Sequence, residues 1–261
     1  MLLRLLLFSV YTNVIAATAI NFALLAANIL ELSPIPSNWS VVADNLVVLF
    51  NETSQMHPEY EGYTDETVKQ ADVILLGFPL MYDMPASVRA NDLLFYGNHT
   101  DPNGPAMTWA MFAVGWLDYG DYSQAASYFK QGYANIHAPF NVWQETPTGG
   151  TVNFITGAGG FLQSVIFGYG GVRLVSGQLL WNAQPLPQNA TSVKLMSLHY
   201  LGASLNLAMY ADSMEIELVA AGTVDLQLVA GTQVTVLEVG SSVSMAPQRC
   251  VVEAVPVQTR R

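Results

Sequence analysis

Charge is scarce in this sequence. Only 11% of its 261 residues are Asp, Glu, Lys or Arg, against roughly 25% in an ordinary soluble domain. Such a chain fits a protein whose surface is partly covered by something else. The net charge of −11 argues against nucleic acid as a partner, because phosphates are held by Lys and Arg. It sets no substrate class. Cysteine is nearly absent: Cys250 stands alone, which excludes an intrachain disulfide and a cysteine metal cluster. HExxH, GxSxG and P-loop motifs are missing, and the glycines of residues 149–171 form no dinucleotide fingerprint. No cofactor and no metal are expected.

Long apolar runs are missing except at the start, "MLLRLLLFSVYTNVIAATAINFALLAANIL". Arg4, Thr12, Asn13 and Thr18 interrupt that run, and small residues follow it, so it suits a signal peptide better than a membrane span. It suits the first helix of a globular domain equally. Four N-x-S/T triplets, at Asn38, Asn51, Asn98 and Asn189, can carry glycans if the chain enters the secretory route. A secreted or lumenal location is compatible with both features.

What is present is apolar: 51% of the residues, enough for a sizeable core. The first two thirds read as helices broken by busy loops. Tyr11 to Leu32 is one helix, ended by Pro34 and Pro36. Ser37 to Phe50 reads as a second, with Ser37 as N-cap. Thr64 can cap a third over "DETVKQADVILL", with Asp65 and Glu66 at its positive end. "GPAMTWAMFAVGWLDYG" places Pro105 at a helix start and Gly120 just past its end, and its body is apolar nearly all round, as in a buried helix. Tyr122 to Ala134 gives another, capped by Asp121 or Ser123. Paired helices of this kind build an α/α barrel or a bundle. After Gly171 the period changes to the alternation of antiparallel strands with one wet face. Residues 176–249 read as a small β-sandwich and "VEAVPVQTRR" as a frayed tail.

Three loops gather chemistry. "HPEYEGYTDETVKQADV" brings Tyr60 and Tyr63 ahead of Lys69 and Gln70. Aromatic faces with paired donors and acceptors suit sugar hydroxyls, although Glu66 and Lys69 are also spaced as an ordinary surface pair. "YGNHTDPNGPAMTW" contains the turn Asp101-Pro102-Asn103-Gly104. In the third loop Glu145 follows Trp143, and a carboxylate beside an indole can be tuned as a general base. An exposed loop acid is the plainer alternative.

Read together, "YTN", "HPEYEGYTDETVKQADVILL", "GNHTDPNGPAMTW", "VWQE" and "NFITGAGGFLQSVIFGYGGVRL" resemble the C-terminal half of family 65 glycoside hydrolases. The resemblance implies a mainly α chain: a partial (α/α)6 barrel followed by a small antiparallel β-sandwich domain. Residues 1–10 would be a foreign or signal-like start, 11–175 the later part of the barrel, and 176–261 the sandwich. It implies a carbohydrate substrate and inverting hydrolysis of a terminal α-glucosyl unit. Lys69 and Gln70 would contact the glucosyl unit, with Tyr60, Tyr63 and Trp143 nearby and Glu145 as the base.

Two departures from the family pattern matter. The phosphorylases of the family carry a His-x-Ser-Ser-Leu-Ser stretch that cradles phosphate. Here Thr100, Asp101, Pro102 and Asn103 stand there, and Asp101 would repel phosphate, so hydrolysis is favoured over phosphorolysis. In the family "YTN" also follows a Pro-Asp-Glu-Tyr-His stretch holding the general acid. Here no Asp or Glu precedes Glu31. The general acid is therefore expected to be absent from this chain, and an upstream barrel half, or self-association through apolar faces left uncovered, is expected. The alternative is a non-catalytic remnant that binds carbohydrate or a partner.

Overall fold

The computed structural model describes residues 9–32, 36 and 38–256. Among them are six α-helices and three antiparallel sheets. Helix α1 runs Val10–Ile29, with the Ser9 hydroxyl accepting from the Thr12 N–H. Helix α2 covers only Asn38–Asp44, shorter than its apolar run foretold, and Ser37, the expected cap, lies outside the described residues. The stretch after it is not helical, and tertiary bonding competes with helix there: the Asn13 amide of α1 donates to the Val47 carbonyl at 2.8 Å.

The helix expected from Thr64 does not form. Only a 3-10 turn, Val73–Leu76, is helical there. Val68 instead bridges to the chain ahead: its N–H donates to the His99 carbonyl, and its carbonyl accepts from the Asp101 N–H, both at 2.8 Å. These long-range bonds take the backbone groups a helix would have used.

Helix α3, Ala86–His99, is a helix that the sequence pattern hid, because Asn91, Asp92 and Gly97 interrupt its apolar face. Helices α4 (Met107–Tyr119) and α5 (Tyr122–Gln131) stand where expected. Gly120 caps α4 in the left-handed conformation, and the Asp121 carboxylate accepts from the Gln124 N–H to start α5. Nine of the 13 residues of α4 are buried. The third loop proves to be a three-stranded sheet, β1 (Ile136–His137), β2 (Val142–Thr146) and β3 (Gly149–Val152). Helix α6, Ile155–Gln163, then runs into a π-turn over Ser164–Tyr169.

The strands that follow are β4 (Val172–Val175), β5 (Gln178–Trp181), β6 (Val193–Tyr200), β7 (Ala203–Met209), β8 (Met214–Ala220), β9 (Leu226–Ala230), β10 (Gln233–Val236), β11 (Ser242–Met245) and β12 (Cys250–Ala254). They form a five-stranded sheet in the order β10-β9-β12-β5-β4 and a four-stranded sheet β11-β8-β7-β6. One apolar core, with Trp181, Leu205, Leu207, Ile216 and Val252 at its centre, joins the two. The beginning of the expected tail is no tail: β12 lies mid-sheet between β9 and β5. Cys250 and Val252 point inward and are buried, the alternation that a half-buried strand requires.

A second core fills the helical part, from Val10 and Val14 of α1 to Leu93, Phe112 and Trp116. Helix α1 gives it little. Val10, Asn13 and Val14 are its buried residues, while Phe22 is 68% exposed and Ile29 67%. By length and composition α1 is able to cross a membrane, a test that core helices and signal sequences also pass. An apolar face this size on a free chain drives association. We expect the chain to self-associate without detergent, and charged residues at Phe22, Leu25 and Ile29 together to raise the monomer fraction. Size-exclusion chromatography with light scattering checks this, and a monodisperse wild-type monomer would refute it.

Candidate active site

Backbone hydrogen bonds join the three loops that the sequence singled out. Val68 is held between His99 and Asp101. The second loop turns tightly there: the Asp101 carboxylate accepts from the Asn103 N–H at 2.9 Å, and the Gly104 N–H donates to the Asp101 carbonyl at 2.8 Å. A β-carbon on Gly104 would lie 2.4 Å from the Lys69 carbonyl oxygen, so only glycine permits this approach. The Ala106 N–H then donates to the Glu145 carbonyl at 2.9 Å. First loop, second loop and strand β2 are thereby fixed together.

This brings Lys69 to Glu145, 76 positions away in sequence. Lys69 Nζ lies 3.4 Å from Glu145 Oε1. The other oxygen, Oε2, accepts the Thr151 N–H from β3 at 3.1 Å. That N–H first, and then the ammonium of Lys69, hold the Glu145 carboxyl below its ordinary range. Both hydrogen-bond donors favour the charged form. The Glu145 side chain is 22% exposed and that of Lys69 68%, so the pair is open to solvent on the lysine side.

Gln70 faces a different space. It lines a cavity of about 270 Å³ with Tyr11, Asp72, Thr108, Met111 and Gln163 among others, and its amide donates to Asp72 Oδ1 at 3.3 Å. Thr108 adds a buried hydroxyl with no hydrogen-bond partner among the described residues. Asp72 and Gln163 were not singled out from the sequence, though each sits in a quoted motif, "VKQADV" and "GGFLQ".

The aromatic candidates stand apart from this cavity. Tyr60 and Tyr63 pack edge to face at 5.4 Å and border a separate hollow with Phe50 and Pro58. The Tyr63 hydroxyl donates to the Glu66 carbonyl at 2.7 Å, and burial pushes its pKa up to about 12. Trp143 donates its indole N–H to the Gly132 carbonyl at 2.9 Å and packs on Phe161. It therefore anchors β2 to the helices. The groups that shift Glu145 are Thr151 and Lys69.

Among curated proteins, the protein-glucosylgalactosylhydroxylysine glucosidase of Dictyostelium discoideum is 46% identical over 213 residues, covering 80% of this chain and 30% of its own. The chain is a relative of the family 65 glycoside hydrolases. A kojibiose hydrolase of Mucilaginibacter mallensis is 35% identical over 188 residues, covering 71% of this chain and 27% of its own. The chain thus spans less than a third of the length of these relatives. The fold matches a solved structure named as a putative kojibiose phosphorylase from human microbiome, with a TM-score of 0.67 at 12% identity, over 91% of this chain and 37% of that one. No protein-family model matches.

Two changes test the geometry. Gly104→Ala must push the second loop off Lys69, and crowding of this kind costs about 1–3 kcal/mol; chemical denaturation measures it, and an unchanged midpoint would contradict the contact. Lys69→Ala removes one of the two main causes of the lowered Glu145 pKa. The carboxyl should then titrate at higher pH while staying below its ordinary value, because the Thr151 N–H remains. Carbon-13 NMR of the Glu145 carboxyl reads this.

Proposed function

We propose that this chain supplies the base-bearing, sugar-binding part of an inverting α-glucosidase. The observation that carries the reading is the meeting of Lys69 and Glu145, while Gln70, next to Lys69 in sequence, lines a cavity of its own. An inverting glycosidase needs a carboxylate that activates water on one face of the sugar ring and an acid that protonates the leaving oxygen on the other, about 6.5–9.5 Å away. Glu145, held ionised by Lys69 and Thr151, fits the first role. It accepts a proton from water as the water oxygen bonds to the anomeric carbon, and the bond to the leaving oxygen breaks as the acid protonates it. Gln70 offers the donor and acceptor that a sugar hydroxyl needs.

The names of the relatives point to a glucosylgalactosyl-hydroxylysine glycan or kojibiose as the substrate class. Residues 11–175 are read as the later part of an (α/α)6 barrel and 176–261 as its sandwich domain. The general acid is assigned to no residue here. A second reading is a domain that binds sugar without turning it over. Phosphorolysis is disfavoured: Asp101, at the phosphorylase serine stretch, is committed to its own turn and carries the wrong charge for phosphate.

The test is glucose release from kojibiose, trehalose and a glucosylgalactosyl-hydroxylysine. It is run on the chain alone and on the chain fused behind the upstream portion of the Dictyostelium discoideum relative. The fusion should hydrolyse one of these without phosphate, and the chain alone none. Glu145→Gln should lower the fusion's kcat by roughly 10² or more, the scale of acid-base groups, with little change in KM. Near-normal turnover in that variant would remove Glu145 from the chemistry, and dependence on phosphate would restore the phosphorylase reading.

A further inference from the structure

Two carboxylates are buried among the described residues, Asp92 and Glu59. Asp92 is matched by His57, whose ring Nδ1 lies at 2.8 Å and whose backbone N–H donates at 2.8 Å. Glu59 has no such partner. It is 7% exposed, and no Lys or Arg pairs with it among the described residues. Its Oε1 accepts the Asp72 N–H at 3.0 Å, and its own carbonyl accepts the Val10 N–H at 3.2 Å. A buried acid held this way is costly unless it does something that a neutral side chain could not.

Its position shows what it could do. Asp72 is the third residue of the Gln70-Ala71-Asp72 turn, all three of which line the cavity. The Asp72 carboxylate in turn accepts from the Gln70 amide. Glu59 therefore grips from the interior the same residue that holds Gln70 on the cavity side. We propose that Glu59 is a positioning residue for Gln70: by accepting the Asp72 N–H it fixes the turn, and with it the place of the Gln70 amide in the cavity. The consequence for sugar rests on the reading of Gln70 above; the positioning itself does not.

The surroundings make this grip sensitive to pH. Asp72 faces Glu59 from the turn, Asp92 and Tyr96 from α3, and Tyr63 from its own loop. Burial first, then the charge of Asp72, raise the Glu59 pKa from 4.5 to about 7, against the N–H groups of Asp72 and Val73, which lower it. Below pH 4.5 the carboxyl is protonated in both folded and unfolded chains. Its stabilising contribution is full there and is lost as pH rises through about 7. Above that, ionised Glu59 repels the carboxylate that holds Gln70.

Hydrogen–deuterium exchange of the whole chain, read on peptides spanning residues 66–76, tests the proposal. Glu59→Ala removes the acceptor and should speed exchange of this segment on the order of tenfold, the factor that about 1.4 kcal/mol of a lost hydrogen bond represents. Glu59→Gln keeps an acceptor and should exchange as wild type does. Moving wild type from pH 6 to pH 8, with times rescaled for intrinsic exchange, should loosen the segment, and Glu59→Gln should abolish that response. The exchange of sandwich peptides reports whether Glu59→Ala is folded; if it is not, the pH comparison with Glu59→Gln decides alone. Wild-type exchange in a folded Glu59→Ala, or the same pH response in wild type and Glu59→Gln, would overturn the proposal. Added glucose separates the two readings. Protection of this segment in wild type and Glu59→Gln but not in Glu59→Ala joins positioning to sugar binding. No protection by glucose in any of the three counts against the sugar reading and leaves the exchange and pH results to judge Glu59.

Discussion

Helix α4 has no wet face, and the rest of the helical part exists to cover it. From Thr108 to Leu117 only Met111 escapes full burial. Helix α3 covers one side through Leu93 and Tyr96, α5 another through Ala125, and α6 with its π-turn a third through Gly160 and Gly168. The glycines let α6 come close: a β-carbon on Gly160 would sit 3.3 Å from that of Ala110. Close approach is what close-packed interiors demand of a helix buried on several sides. The loops at the N-terminal end of α4 are consequently short of room, and that crowding brings Gly104, Lys69 and Glu145 together.

The far end of α4 joins the two parts of the molecule. Asp118 receives Arg89 of α3 at 2.9 Å and Arg173 of β4 at 2.9 Å. Arg173 also lies over the Phe78 ring at 4.5 Å and donates to the carbonyls of Phe167 and Val172. All three charged side chains are largely buried, so removing one would leave an uncompensated charge, the costly case for ion pairs out of water. Gly171, at φ 61°, makes the turn between the parts, and a β-carbon there would overlap the Asn182 carbonyl at 1.8 Å. One end of α4 thus fixes the sandwich and the other fixes the candidate site.

The sequence reading found what periodicity encodes. Helix α4 declared itself by an unbroken apolar run between Pro105 and Gly120, and the sandwich by alternation. It missed what long-range bonding decides. The capping signal at Thr64 is real as chemistry, but Val68 finds partners at His99 and Asp101, and tertiary pairing overrides local propensity. Helix α3 was hidden because Asp92 occupies a core position that only makes sense once His57 is beside it. Strand β12 looked like a tail because its neighbours, β5 and β9, are far away in sequence. At the site, the resemblance singled out Lys69, Gln70 and Glu145, and geometry placed the first and last in contact. No local pattern could show that Tyr60 and Tyr63 border a different hollow, or that Glu59 is turned inward.

Glu145 and Glu59 are driven in opposite directions: backbone N–H groups favour the charged form of both, and burial decides the sign at Glu59. Strand edges and helix N-termini leave N–H groups free to point at side chains, where a helix interior would have used them internally. Thr151, on a short strand, offers its N–H to Glu145 near solvent, with Lys69 close by, and the carboxyl becomes a stronger acid. Asp72 offers its N–H to Glu59 in the interior, where no cation follows, and burial outweighs the hydrogen bond, so the carboxyl becomes a weaker acid. Pairs of carboxyls pushed apart in this way are how one site holds one group ionised and another protonated at the same pH. Had residues 64–76 folded as the helix their sequence favours, the N–H of Asp72 would have been spent within it. The irregular backbone that defeats the local prediction therefore gives Glu59 its Asp72 bond and brings Lys69 to Glu145, while burial sets the direction at Glu59 and the Thr151 N–H leads at Glu145.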